Sequence, residues 1–177
     1  MRGEIVLLLP VAGFPGAPLL ALVERFHEHA IPYSAAAQKL GHCEGSDGAS
    51  ISATRRVRDV RPSEIGGLVV LDNPDGDLRD HRPALELVCR ADCQPILVAG
   101  VGDGALVLFR AGILRGGVLA ADRRSADRLR GFGAGVLLEP LLIDNHVATA
   151  TESGAAALGD VIHDLRGPTA MVPEPPA

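Results

Sequence analysis

The chain has 177 residues, of which 47% are hydrophobic and 3% aromatic, with a formal net charge of -5. That length fills one domain with a full core and falls short of two ordinary ones, so the core must be Val, Leu, Ile and Ala. An acidic balance with no basic run argues against nucleic acid as a partner. Apolar runs such as Ile5 to Val11 fall far below the ~20 residues that cross a bilayer, so a cytoplasmic protein with no membrane partner is expected.

Apolar runs and helical patterns alternate along the chain. Ile5-Val-Leu-Leu-Leu9 reads as a strand buried on both faces. Leu19, Leu20, Leu22, Val23 and Phe26 make a helical stripe that ends around His27 to Ala30, before Pro32. Tyr33 to Ala37 is a second strand. Gly41 to Asp59 is polar, with Ser50 to Thr54 as part of a short hairpin. Gly67-Leu-Val-Val-Leu71 is a third buried strand, Pro83 to Arg90 a helix, and Pro95 to Ala99 the next strand. Gly100 to Gly104 turns sharply into another helix. Val118 to Ala121, a short helix from Ala126, strands at Val136 to Leu138 and Val147 to Ala150, and a helix from Ser153 to Leu165 complete the pattern. Pro168 to Ala177 reads as a flexible Pro-rich tail on a single domain spanning 1–167.

This order predicts an α/β fold, a three-layer, doubly wound and mostly parallel sheet with helices on both faces. Sites in such sheets lie at the carboxyl ends of strands, so chemistry is expected in the loops after Leu9, Leu71, Ala99 and Ala121. Cys43, Cys89 and Cys93 have neither disulfide nor zinc spacing. Cys89 and Cys93 fall four apart on a helix and share a face, but two ligands do not close a metal site. Cys43 stands between His42 and Glu44, and adjacent residues in extended chain point opposite ways, so they make a poor catalytic set. His27, His29, His146 and His163 would have to converge to hold a metal; none is expected, and no cofactor.

The segment Gly102-Asp-Gly-Ala-Leu-Val-Leu-Phe-Arg-Ala-Gly-Ile-Leu-Arg-Gly116 resembles the Cys-x-Gly-Ala/Pro-x-x-Leu-x-x-Ala-Gly-Leu-Leu-x-Gly signature of the ThiJ/PfpI superfamily, with its flavodoxin-like, class I glutamine amidotransferase-like fold. It is especially similar to the amidase-like domain of AraC-type regulators. Ala121 to Leu129 resembles that group's Thr-His-Trp-Arg-x-Ala-Asp-x-Leu, Ile143 to Thr149 its Val-Asp-Asp/Gly-Asn-Val-Leu-Thr, and Leu68 to Asn73 its Leu-Val-Val-Pro-Gly-Gly. The similarity spans roughly residues 4 to 166 and implies a homodimer. A regulator is not expected, because the chain to Ala177 leaves no room for DNA-binding helices.

The departures fall at the site. Gly102 stands where the resemblance places a nucleophilic cysteine, Asp103 beside it where many relatives have histidine, and Asp122 where the Thr-His-Trp histidine would be. Val11 to Ala17, with Phe14 and Pro15, replaces a loop that often carries an acidic residue, and Asp72-Asn73 replaces the Gly-Gly turn. Thiol-dependent protease, amidase, glutaminase and glyoxalase activities are therefore not expected. A nucleophile elbow strains a residue that has a side chain, by about 1 to 3 kcal/mol, whereas glycine adopts the conformation freely. The amides of Asp103 and Gly104 are candidates to hold an anion, though the same segment also serves as a plain tight connection.

Asp103, Asp122 and Asp72 map to one rim, where neighbouring carboxylates would split their pKa values into a proton donor and an acceptor. The expectation is cysteine-independent acid/base chemistry, of isomerase, hydratase or lyase type, on a small organic substrate. Gly102, Gly104, Asn73, Phe14, Pro15 and Glu152 are the candidate substrate-binding residues. Against this stand local roles: Asp103 capping its helix, Asp122 pairing with a nearby arginine, and Glu152 favouring the start of the last helix. The alternatives are a catalytically silent binder of a metabolite or protein, and a redox or stress protein using Cys43.

Overall fold

The computed structural model describes residues 3–114 and 117–167; the expected tail lies outside them. In chain order the elements are β1 (Ile5–Leu8), β2 (Ala12–Phe14), α1 (Gly16–Glu28), β3 (Tyr33–Ala37), β4 (Gly41–Gly45), β5 (Ser50–Arg56), β6 (Gly67–Leu71) and α2 (Arg82–Asp92). Next come β7 (Leu97–Val101), α3 (Gly104–Arg110), β8 (Val118–Ala120), α4 (Arg123–Gly131), β9 (Gly135–Leu137), β10 (Leu141–Asp144), β11 (Val147–Ala150) and α5 (Ala155–Arg166). Short 3-10 turns at Val57–Asp59 and Pro62–Glu64 lead from β5 to β6.

Nine strands form one sheet in the order β10-β11-β7-β6-β1-β3-β5-β4-β2. The pairings of β3, β1, β6, β7 and β11 are all parallel, while β10 runs antiparallel on one edge and β4 antiparallel to β5 near the other. Every residue of β1, β6 and β7 is buried, because helices cover both faces. The pleat splits β1 between two cores: Ile5 and Leu7 join Leu22 and Phe26 of α1 and Leu158 and Ile162 of α5. Val6 and Leu8 join Leu87 and Val88 of α2 and Val107 of α3. This is the doubly wound, mostly parallel α/β fold that the alternating pattern predicts.

Four features differ from the sequence reading. β2 is only three residues long and enters through Gly13 at φ 78, so no alternating pattern marks it. β10 is a half-exposed edge whose pairing with β11 depends on the turn at Asn145, which has φ 57. The β8–β9 pair forms its own two-stranded parallel sheet rather than extending the large one. The strand expected at Pro95 to Ala99 is shifted to Leu97–Val101, and it therefore runs directly into the turn at Gly102. Among the described residues no helix is long and apolar enough to cross a membrane.

Candidate functional site

The parallel register of β11 on β7 sets Ala150 beside Val101. The Gly102 amide then donates to the Ala150 carbonyl at 2.9 Å, so the residues just past the two strand ends face each other. Gly102 has φ 55, the left-handed region that side chains disfavour. A β-carbon on Gly102 would stand 3.2 Å from Glu152 Cγ and 3.6 Å from Glu152 Oε1. The position above the elbow is thus taken by a carboxylate from the next strand end. Glu152 is solvent-exposed, whereas Asp103, one residue past the elbow, is 8% exposed.

Asp122 approaches from the second sheet. The Ala120 amide of β8 donates to the buried Thr149 hydroxyl at 2.8 Å, which pins the end of β8 against β11. Two residues on, Asp122 Oδ2 accepts the Glu152 amide at 3.1 Å. Asp122 also lines a cleft of about 410 Å³ with Leu138, Glu139, Pro140, Thr151 and Ser153. Gly102, Glu152 and Asp122 therefore form one connected group, with Asp103 next to it in sequence. Thr149 escaped the sequence reading because a lone threonine in an apolar strand carries no local signal.

The remaining candidates are occupied in building the frame. Asp72 is fully buried, and its carboxylate accepts the amides of Asn73 at 2.9 Å, Leu78 at 3.0 Å and Arg79 at 3.1 Å. Burial raises its pKa, while those amides and Arg79 pull it down. Asn73 Oδ1 accepts the amides of Gly76 and Asp77, and its Nδ2 donates to the Ala12 carbonyl and to Asp77. Both side chains, the expected catalytic Asp72 and substrate-binding Asn73, fold the loop after β6 through these hydrogen bonds. Phe14, expected to touch substrate, is fully buried in the core. Pro15 precedes the first residue of α1. Gly104 is glycine for packing, because a β-carbon there would stand 2.0 Å from the Val70 carbonyl oxygen.

Asp103 makes no side-chain cap on α3, a helix of only seven residues. At the start of α5 the Thr151 hydroxyl accepts the Gly154 amide at 3.0 Å. Cys43 is 1% exposed with His42 and Glu44 turned outward on β4, and burial pushes its thiol pKa up. A buried thiol that resists ionisation is a poor nucleophile, which removes the physical basis for a Cys43 redox role. Cys89 and Cys93 are exposed and line one shallow cleft, as their spacing predicts. Among the described residues no three His, Cys, Asp or Glu side chains group as metal ligands.

A doubly wound α/β domain with a strand-to-helix elbow at the carboxyl edge of its sheet defines the structural class. The model of the DJ-1/PfpI family matches residues 4–159, and the chain belongs to that family. Comparison with curated proteins gives no match. Among solved structures, the chain is similar to a ThiJ/PfpI domain protein from Brachyspira murdochii, with 15% identity over 94% of this chain and 98% of that one, at TM-score 0.84. It is also similar to DJ-1 from Schizosaccharomyces pombe, with 13% identity over 94% and 93% of the two chains, at TM-score 0.79. A two-domain protein from Anabaena variabilis with dj-1/thij/pfpi-like and ferritin-like domains shares 21% identity over 94% of this chain and 51% of its own, at TM-score 0.79.

Proposed function

We propose that the chain is a cysteine-independent enzyme that performs acid/base chemistry, of isomerase, hydratase or lyase type, on a small organic substrate at the elbow. The observation that supports this reading is the Glu152 carboxylate lying over Gly102, where a side chain at the elbow would otherwise project. Glu152 is the proton acceptor: it takes a proton from a substrate carbon beside a carbonyl, or from an attacking water, and returns it at a second position. Asp122 is a positioning residue, since its carboxylate holds the backbone amide of Glu152 and so fixes where that side chain starts. Asp103 flanks the elbow as the mostly buried acid of the group. With Gly102 at the elbow there is no thiol there to form an acyl or thiohemiacetal intermediate.

The test is turnover of small carbonyl and polyene compounds, followed by proton NMR in deuterated water to detect exchange at carbon. Glu152→Gln and Asp103→Asn keep size and shape while removing the acid function, and each is expected to lower turnover by about 100-fold or more, the usual contribution of a positioned general acid or base. Unchanged turnover in Glu152→Gln would sink the proposal. The exposure of Glu152 favours a second reading, in which the same rim binds a metabolite without converting it, because a well-hydrated carboxylate is a weak base. Saturable binding with neither product nor isotope exchange is the outcome that reading expects.

A further inference from the structure

Two clefts on the α2–α3 side of the molecule meet at Arg58, and their lining is strongly cationic. The larger, about 930 Å³, has Arg58, Arg82, Arg90 and Arg110 on its walls and Glu86 as the single acid among its lining residues. Pro83, Leu85 and Ala111 give it an apolar surface. The smaller, about 550 Å³, adds Lys39, Arg56 and His81 around the same Arg58, with no acid among its lining residues. In a chain of net charge -5, six of the 17 basic residues gather around one groove.

The internal neutralisation is incomplete. Arg82 Nε donates to Glu86 at 2.7 Å and Arg110 Nη2 to Asp80 at 3.5 Å, while Arg90 Nη2 reaches the Val60 carbonyl at 3.5 Å. Each acid offsets one guanidinium, and no acid lines the smaller cleft beside Lys39, Arg56 and Arg58. Like charges held close repel, and a bound anion relieves that repulsion. At the same place His81 Nδ1 is buried and has no hydrogen-bond partner among the described residues. Burial, and then the charge of Arg58, push its imidazole toward the neutral form, so the positive charge here comes from the arginines and Lys39.

We propose that this groove binds an organic phosphate that carries two or more phosphoryl charges on an apolar or aromatic body. Guanidinium forks match phosphoryl oxygens two at a time, the apolar wall accepts the body, and the volume suits a ligand of nucleotide size. The site is separate from the elbow: Asp103 precedes α3 and Arg110 ends it, and the carboxylates at the elbow repel what the groove attracts.

Isothermal titration of the whole chain with ADP and with inorganic pyrophosphate tests this, at about 50 mM and about 200 mM salt so that screening of exposed charges is visible. ADP is expected to bind saturably, more tightly than pyrophosphate, and more weakly at the higher salt. The Arg58→Ala/Arg110→Ala double variant should weaken ADP about tenfold or more, as loss of charge-assisted contacts requires. Arg130→Ala on α4, whose guanidinium pairs with Asp127, should leave binding unchanged. Absence of saturable binding, or full-strength binding by the double variant, overturns the proposal. Pyrophosphate binding as tightly as ADP overturns the role of the apolar wall, and tighter binding of a single-stranded oligonucleotide overturns the small-ligand assignment.

Discussion

The Glu152 side chain covers the α-carbon of Gly102, its Cγ 3.2 Å and its Oε1 3.6 Å from where a β-carbon would be. Replacing Gly102 by alanine therefore meets two obstacles. The backbone at φ 55 disfavours any side chain, and the new methyl must displace Glu152 by a few tenths of an ångström. Gly102→Ala is expected to destabilise the fold by about 1 to 2 kcal/mol, mostly from the left-handed backbone. Glu152→Ala should relieve only the contact. Chemical denaturation of the two single variants and the double variant separates the terms, and a fully additive cycle would show that the two residues do not press on one another.

That contact was not legible in the sequence, and the reason is geometric. Gly102 and Glu152 are brought together by the pairing of β7 with β11, and pairing between distant strands is carried by the whole sheet rather than by either segment. The buried strands β1, β6 and β7 could be read directly, since short β-branched and leucine runs such as Gly67-Leu-Val-Val-Leu71, bounded by turn residues, suit a strand covered on both faces. The elbow could be read as well, because glycines at Gly100, Gly102 and Gly104 punctuate a strand-to-helix junction. The roles of Asp72 and Asn73 could not. Carboxylates and amides at strand ends look alike whether they face a substrate or, as these do, the amides of their own loop.

Thr149 should prove as important to the site as any acid in it. Its hydroxyl is the acceptor for the Ala120 amide, and it connects the small β8–β9 sheet, with Asp122 at its edge, to the main sheet. Thr149→Val conserves shape while leaving that buried amide without its acceptor, at a cost of about 1 to 3 kcal/mol. Hydrogen exchange is the informative measurement: the Ala120 and Glu152 amides should both lose protection in the variant. Loss at Ala120 alone would mean that Asp122 holds its place without Thr149.

The thiols separate by burial. Cys89 and Cys93 are exposed, while Cys43 is enclosed in the core with its Sγ directed at the Gly41 carbonyl, 3.7 Å away. Iodoacetamide should label two cysteines in the native protein and the third only in denaturant, as read by intact mass and peptide mapping. Since burial raises the Cys43 pKa, its thiolate is scarce in the folded state and its alkylation should track unfolding. Native labelling of Cys43 at a rate matching Cys89 would restore the redox reading.

Asp72 sets a pH dependence of stability with a definite sign. Three amides require its oxygens as acceptors, so Asp72→Ala should cost on the order of 3 kcal/mol by leaving buried donors unpaired. The charge itself works the other way, because burial outweighs the amides and raises the pKa in the folded state. A group whose folded pKa lies above its unfolded value contributes stability that is fully present below the unfolded value and is lost as the pH rises through the folded one. Asp72→Asn keeps one acceptor oxygen and removes that titration. Relative to the wild type, the Asn variant should therefore gain stability as the pH is raised from below the ordinary aspartate range, levelling off above the elevated pKa. Urea denaturation of both proteins across that range decides it: a difference that is flat, or that shifts toward the wild type as the pH rises, would show that the three amides outweigh burial.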